Sequence, residues 1–181
     1  MNWHALLQAD QAWSSRLRLS PQGHPRFVVY AILAHSGDSW FWLAGLAVAW
    51  LFGGPSWRRY ATPWILGILG LAALVLAIKF SIRRQRPVGE WGAIYRNSDP
   101  HSFPSGHAAR AAMLALVGWG IGPAWLGFLL LIWAILVSLA RVVVGVHYLS
   151  DIVAGFILGL VAAGVILFLN PYLAALFPFL Y

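Results

Sequence analysis

The sequence predicts an all-α integral membrane bundle of five to six transmembrane helices, with its unusual polar residues gathered at one membrane face. Of the 181 residues, 61% are hydrophobic and only 9% are charged. A soluble domain typically carries about 25% charged residues, so this chain has too little polar surface to cover a water-soluble globule. Its uncharged runs are long enough to cross a bilayer. We therefore expect a single membrane-embedded domain over residues 1–181.

The first 38 residues are expected to be interfacial or only partly embedded in the membrane. Residues 1–20 mix charged and aromatic side chains and lack the order of a cleavable signal peptide. They are typical of an amphipathic helix at the membrane interface, and a solvent-exposed helix fits equally well. Residues 27–34 are apolar but too short to span, and the polar stretch 35–38 interrupts them.

Four long uncharged stretches after this region predict five membrane-spanning helices. Glycines and Pro123 within residues 118–123 divide one overlong apolar run into two helices. Pro171 is expected to stop the last span, because proline cannot continue a helix in the usual way. The first span lies in the uncharged stretch 39–57 and is expected to end at Gly53-Gly54-Pro55, and the others are residues 60–78, two helices between about 105 and 141, and 152–169.

The order of the spans places the connections 80–103 and 142–150 on the same side of the membrane. Arg58 and Arg59 lie in a connection on the opposite side, which the positive-inside rule assigns to the cytoplasm. The polar side is therefore expected to face the periplasm or exterior, as in a bacterial inner membrane protein.

The net charge and the absence of cysteine exclude several classes of function. The formal charge is +7, but most Lys and Arg residues lie between apolar runs and form no solvated basic face, so nucleic acid binding is not expected. The chain has no cysteine, which excludes disulfides, thiolate metal sites and thiol catalysis.

Three polar clusters, separate in sequence, are predicted to meet at the polar face. Burying their cations near a membrane would cost free energy unless a bound anion, such as phosphate, stabilised them. The clusters are Lys79 with Arg86-Pro87, then Pro104-Ser105-Gly106-His107, then Arg141 with His147 and Asp151.

Each cluster has a chemical interpretation and a structural alternative. Lys79 and Arg86 can hold phosphate oxygens from a helix end and a loop, although Lys79 alone is typical of a snorkelling helix terminus. Ser105 can cap a helix whose N-terminus, with the uncovered backbone of Gly106, favours an anion. His107 can then protonate a leaving group, whereas an isolated histidine there is more often structural.

The third cluster has the spacing of an oriented nucleophile. His147 and Asp151 are four residues apart, so Asp151 can accept a hydrogen bond from one ring nitrogen and leave the other to attack phosphorus. Arg141 can hold the phosphate in line for that attack. The alternative is a capping pair, with Ser150 as the N-cap residue and Asp151 stabilising the helix dipole.

The order and spacing of these clusters resemble the three-part signature of the type 2 phosphatidic acid phosphatase superfamily, from Lys79 to Asp151. One position differs, because Ala140 stands where the family usually has serine, and the nearest hydroxyl belongs to Ser138. The resemblance implies an active site in which His147 attacks, Asp151 orients it and His107 is the general acid. It also implies phosphate binding by Lys79, Arg86, Ser105, Gly106 and Arg141.

The resemblance further implies hydrolysis of a lipid phosphate through a phosphohistidine, with no metal and no cofactor. Compatible substrates within the membrane are undecaprenyl diphosphate, phosphatidylglycerol phosphate, phosphatidic acid and a lipid A phosphate. A lipid phosphotransferase could use the same phosphohistidine. A vanadate-dependent haloperoxidase conflicts with the apolar spans, and an anion channel or transporter leaves the spacing of the histidine and aspartate unexplained.

Several other polar residues have no assigned chemistry in this signature. Arg110 follows one turn after His107 and could contact a lipid headgroup or serve packing. Five charged residues between the first two clusters could form a rim around a headgroup, although ordinary surface charge is the simpler interpretation. They are Arg83, Arg84, Glu90, Arg96 and Asp99.

Overall fold

The computed structural model describes residues 3–20, 25–89 and 99–181, and most of these residues are helical. The helices are α1 (Trp3–Leu17), α2 (Pro25–Ser36), α3 (Ser39–Phe52), α4 (Gly54–Ile82), α5 (Gly106–Ile121), α6 (Ala124–Val143) and α7 (Leu149–Leu176), followed by a short 3₁₀ helix (Pro178–Leu180).

Every predicted span corresponds to a helix, but the lengths differ from the prediction. Within the described residues, α4, α6 and α7 are long and apolar enough to cross a membrane. The helices α3 and α5 have 14 and 16 residues, somewhat fewer than the roughly 20 that a perpendicular span requires. The all-α bundle is confirmed, and five to six is an approximate count of its spans.

One of the two helix ends predicted beside a proline was wrong. Helix α3 ends at Phe52, as Gly53-Gly54-Pro55 predicted, because Gly53 closes it and Pro55 lies in the first turn of α4, where its missing N–H is not needed. The predicted stop at Pro171 was wrong, because helix α7 continues through Pro171 to Leu176. Proline removes one backbone hydrogen bond, and membrane helices tolerate that loss because neighbouring groups can compensate for it.

Helix α5 forms the centre of the bundle. Its residues 108–115 are buried, and it packs mainly against α6 and α7. Two glycines of α7 permit this approach, because a Cβ atom on Gly155 would lie 2.4 Å from the Ser105 carbonyl oxygen and one on Gly159 2.0 Å from that of Ala109. Small residues commonly permit such close packing between membrane helices.

The outer surface of the bundle is apolar, with large exposed side chains such as Leu76, Phe128 and Val161 on three different helices. Such a surface suits a hydrocarbon environment. The C-terminal ends of α4 and α6 and the N-terminal ends of α5 and α7 meet at one end of the bundle, as the order of spans predicted.

Candidate active site

Lys79 and Arg86 lie together at the end of α4 and share one carboxylate partner. The Lys79 ammonium donates to the Asp99 carboxylate and, at 3.1 Å, to the His101 carbonyl oxygen. Arg86 donates from Nη2 to the same Asp99 oxygen at 2.7 Å. Both cationic side chains are almost completely buried, whereas that of Asp99 is 36% exposed. The cations predicted to bind phosphate thus converge on a single anionic group.

His147 follows α6 and lies beside Arg86. Its Nε2 atom is 3.3 Å from Arg86 Nη1, and its Nδ1 atom is 3.5 Å from Asp151 Oδ2. Burial lowers the pKa of His147 to about 3, and the nearby charges of Arg86 and Arg141 act in the same direction, while Asp151 opposes them. The imidazole is therefore neutral at neutral pH, with Nε2 facing the cationic cluster.

Asp151 is fully buried in the first turn of α7 and has several partners. Its Oδ2 atom accepts the backbone N–H of Tyr148 at 2.9 Å, and its Oδ1 atom accepts Arg84 Nη1 at 2.7 Å. The N-cap residue of α7 is Tyr148 and not Ser150, so the predicted cap position was wrong by two residues. Asp151 thus caps the helix and also approaches His147. It fits both the interpretation as a capping residue and the interpretation as the partner of the histidine.

Helix α1 docks against the start of α7 through hydrogen bonds. Asp10 accepts the backbone N–H of Ser150 at 3.0 Å, and Ser14 accepts that of Leu149 at 2.9 Å. Asp10 also pairs with Arg84 at 2.7 Å. These contacts satisfy amides that the first turn of any helix leaves without partners. An interfacial or solvent-exposed α1 was expected, and its polar face instead supports the site from one side.

The Pro-Ser-Gly-His element lies at the start of α5, next to α7. Ser105 is the N-cap residue as predicted, and its Oγ atom accepts the Ala108 N–H at 3.4 Å. The backbone N–H of Ser105 donates to the Asp151 carbonyl oxygen at 3.0 Å, which joins the second cluster to the third. Gly106 is the first residue of the helix, and a Cβ atom there would lie 3.4 Å from Val75.

Arg141 lies near both histidines in the last turn of α6. It is almost completely buried, its Nη1 atom is 3.5 Å from the Ala34 carbonyl oxygen, and its charge acts on both His107 and His147. The structure thus brings together at one end of the bundle all eight residues that the sequence singled out: Lys79, Arg86, Ser105, Gly106, His107, Arg141, His147 and Asp151.

His107 has a carboxylate partner that the sequence analysis missed. Its Nε2 atom lies 2.6 Å from Asp38 Oδ1, in the turn between α2 and α3. Arg110 donates to the Gly37 carbonyl oxygen at 2.8 and 2.5 Å and also to the Ser39 hydroxyl. Of the two roles considered for Arg110, these contacts favour packing.

The charged residues between the first two clusters divide into two groups. Arg84 and Asp99 contact the site directly, so their interpretation as ordinary surface charge was wrong, whereas Arg83 is exposed at the end of α4. Glu90 and Arg96 lie outside the described residues. The sequence offered a signal only for Arg84, which lies between Lys79 and Arg86, whereas Asp99 lies 13 residues after Arg86.

The departure at Ala140 leaves an apolar, fully buried side chain beside Arg141. The nearest hydroxyl, on Ser138, is also buried, and it makes no hydrogen bond within the described residues. Ser138 therefore does not replace the missing serine as a donor to a described side chain.

Two cavities adjoin the site. A partly polar cavity of about 650 Å³ is bounded by α1 on one side and by Arg86 and His147 on the other. An almost entirely apolar groove of about 780 Å³ lies between α2 and α3 and ends at His35 and Ser36. Asp38, which contacts His107, lies two residues after Ser36.

The PAP2 superfamily model matches residues 61–174 of the chain. An undecaprenyl-diphosphatase from Sulfolobus acidocaldarius is 34% identical over 103 residues, which cover 52% of this chain and 50% of that protein. A probable lipid phosphate phosphatase beta from Arabidopsis thaliana is 29% identical over 138 residues, which cover 60% of this chain and 65% of that protein. The chain thus spans half to about two-thirds of the length of these relatives.

Two solved structures have the same fold. A transmembrane PAP2-type phosphatidylglycerolphosphate phosphatase from Bacillus subtilis superposes with a TM-score of 0.75 and 26% identity, covering 93% of this chain and 87% of that one. LpxE from Aquifex aeolicus superposes with a TM-score of 0.67 and 23% identity, covering 89% of this chain and 93% of that one. This match shows a similarity of fold. The apolar helices and these transmembrane neighbours identify an integral membrane protein. Because the family model covers more than half of the sequence and includes all three polar clusters, the chain belongs to the PAP2 superfamily.

Proposed function

We propose that the protein is a metal-independent membrane lipid phosphatase that hydrolyses a phosphate monoester or diphosphate of a lipid through a phosphohistidine on His147. One observation carries this proposal. The buried, neutral imidazole presents Nε2 to the cationic cluster at Arg86, while Asp151 lies behind Nδ1. A neutral nitrogen beside cations that hold phosphate is suited to attack phosphorus.

The first step forms the phosphohistidine. Nε2 of His147 attacks phosphorus, the bond to the leaving oxygen breaks, and its electron pair goes to that oxygen. A proton from His107 neutralises the oxygen. Lys79, Arg86 and Arg141, with the α5 N-terminus at Ser105 and Gly106, stabilise the phosphoryl oxygens. Asp151 stabilises the positive charge that develops on the attacking imidazole, in the way that a triad carboxylate does.

The second step returns the enzyme to its starting state. Water attacks the phosphorus atom, and His107, now neutral, takes a proton from the water. The nitrogen–phosphorus bond breaks, its electron pair returns to Nε2 of His147, and inorganic phosphate leaves. Atoms and charges balance with protein groups alone, so the proposed reaction requires no metal and no cofactor.

A lipid substrate is supported by the apolar groove between α2 and α3. The groove is lined in part by His35, whose Nδ1 atom lies 3.2 Å from the Asp38 carboxylate that contacts His107, the proposed proton donor. Its almost purely apolar lining suits a hydrocarbon chain. The relatives named for undecaprenyl diphosphate and for phosphatidylglycerolphosphate suggest the substrate class. We propose that residues 1–181 act as one domain, with α1 and α2 completing the site.

We further propose a bacterial inner membrane location, with the site facing the periplasm or exterior. Arg58 and Arg59 lie near the start of α4, whereas the site lies at its C-terminal end. An excess of basic residues marks the cytoplasmic side, which supports this orientation.

The decisive experiment measures phosphate release by the purified protein in detergent with EDTA present. The panel contains undecaprenyl diphosphate, phosphatidylglycerol phosphate, phosphatidic acid and a lipid A phosphate, and wild type is compared with His147→Ala. We expect release that persists in chelator and falls by at least about 10³-fold in the variant, since nucleophile loss removes the covalent route.

Two results would count against the proposal. Folded wild-type protein that releases phosphate from none of the lipids would refute hydrolysis. If ³²P from the substrate appeared on a second lipid instead of in inorganic phosphate, the protein would be a phosphotransferase that uses the same site. Arg83→Ala, at an exposed cation outside the site, serves as the matched variant and should release phosphate as wild type does.

A further inference from the structure

His107 is paired with a carboxylate that the three-part signature does not contain. Asp38 Oδ1 lies 2.6 Å from His107 Nε2, although 69 residues separate them in sequence. The site therefore contains a second pairing of imidazole and carboxylate, on the general acid, in addition to that of His147 with Asp151.

A capping role does not explain the position of Asp38. Aspartate before a helix usually accepts the amides of the first turn. Asp38 is the residue before α3, yet its side chain makes no hydrogen bond to that helix. Its carboxylate is instead directed to imidazoles, that of His107 and, at 3.2 Å, that of His35.

The backbone around Asp38 is held against α5. Arg110, one turn after His107 on the same helix, donates to the Gly37 carbonyl oxygen and to Ser39, the residues on either side of Asp38. A Cβ atom on Gly37 would lie 3.2 Å from Cδ2 of the His107 ring and 3.0 Å from Val137, so the absence of a side chain there lets the ring approach the turn. Two residues of one helix turn thus fix the position of the aspartate.

Asp38 carries a negative charge in this setting. Burial by itself would raise the pKa of Asp38, but its hydrogen bonds and charge interactions with His107 and His35 outweigh that effect and lower the pKa to about 2. The other charged groups near this turn are Arg110 on α5 and Arg141 on α6. The positive charge of Arg141 interacts with both His107 and Arg110. Among the groups around His107, the Asp38 carboxylate favours the imidazolium, whereas burial and the charges of Arg141 and Arg110 oppose it.

We propose that Asp38 is a positioning residue for proton transfer, which holds His107 by Nε2–H so that Nδ1 delivers the proton to the leaving oxygen. This inference rests on the proposed function. It makes the two histidines complementary. Asp151 lies 3.5 Å from Nδ1 of His147, whose Nε2 attacks, whereas Asp38 holds Nε2 of His107 and leaves Nδ1 to protonate. The turn between α2 and α3, outside the family signature, thereby completes the active site.

The test is a double-mutant cycle on the first turnover, using Asp38→Asn, His107→Gln and the combined variant. Asparagine keeps the size of the side chain and is an equally good residue before a helix, so α3 should still form. The substrate is the lipid phosphate that wild type hydrolyses fastest in the panel above. We expect losses of about 10- to 100-fold for Asp38→Asn and about 10²-fold or more for His107→Gln. The combined variant should be no slower than His107→Gln, because Asp38 acts through His107.

A second substrate separates proton transfer from general damage to the fold. The p-nitrophenolate leaving group needs little protonation, so the first-turnover burst with p-nitrophenyl phosphate should change less than about threefold in Asp38→Asn. Losses that multiply in the combined variant, an unchanged rate with the lipid, or equal losses on both substrates would overturn the inference. Failure of the proposed function would look different, since wild type would release no phosphate or His147→Ala would remain active.

Discussion

Arg84 gives the sharpest prediction about how the nucleophile is oriented. Its guanidinium donates to Asp151 at 2.7 Å, to Asp10 at 2.7 Å and to Ser150 Oγ at 2.6 Å, and it stacks over the Tyr148 ring with its carbon 4.2 Å from the centroid. Arg84→Gln removes the cation and leaves the fully buried Asp151 with one close donor, the Tyr148 amide at 2.9 Å. The contacts joining α1, α4 and α7 weaken at the same time.

The magnitude follows from the burial of this pair. Removing one partner of a buried ion pair costs about 3–5 kcal/mol of folding stability. Loss of a group that orients a reacting side chain typically reduces activity by about 10- to 100-fold. We therefore expect Arg84→Gln to lower kcat by that factor and to lower the midpoint of thermal unfolding, with a smaller effect on KM, because Arg84 does not lie among the phosphate-binding cations.

Arg83→Gln is the matched control, since it makes the same substitution at the neighbouring residue. The Arg83 side chain is exposed, and its one hydrogen bond within the described residues is to the Phe80 carbonyl oxygen, at 2.9 Å. Lipid phosphate hydrolysis and thermal unfolding in detergent should both remain near wild type in this variant. Equal kcat and equal unfolding midpoints for Arg84→Gln and Arg83→Gln would refute the reasoning, because Asp151 would then not depend on its guanidinium partner.

Two further predictions concern packing and pH. Gly159→Ala should lower the free energy of unfolding by about 1–3 kcal/mol, because its Cβ atom would lie 2.0 Å from the Ala109 carbonyl oxygen. Gly164→Ala, with open space at that position, should be neutral or slightly stabilising. Similar denaturation curves for the two variants would contradict this packing. As pH falls below the ordinary histidine pKa of 6.5 toward the folded value of about 3, only unfolded His147 gains a proton, so stability should decrease by about 1.4 kcal/mol per pH unit. His147→Gln should lose that part of the slope in denaturant titrations between pH 6 and 4.5, and identical slopes would show that His147 is not buried and neutral.

Most of the catalytic chemistry could be predicted from local patterns. The approach of Asp151 to His147, which lies just before the N-cap residue of α7, and the cap at Ser105 both involve residues within four positions of each other. Such short-range geometry is nearly the same at the start of any helix, so sequence spacing specifies it. The same reasoning fails at Pro171, where a local rule against proline was outweighed by the surrounding bundle.

The partners of the catalytic groups could not be predicted in this way. Asp38 reaches His107 across 69 residues, and Arg84 reaches Asp151 across 67. Asp10 reaches Ser150 across 140. Nothing in the spacing of such residues indicates a contact, because the packing of several helices must bring them together first.

The sequence by itself determined that this protein lies in a membrane, that its fold is helical, and which eight residues form the centre of its candidate site. Hydropathy and helical spacing are properties of neighbouring residues, and they survive in any arrangement of the helices. Only the tertiary structure decided that α1 supports the start of α7 and that Asp38 contacts His107. Both contacts require helices that are distant in sequence to pack side by side, as Gly155 and Gly159 allow for α5 and α7.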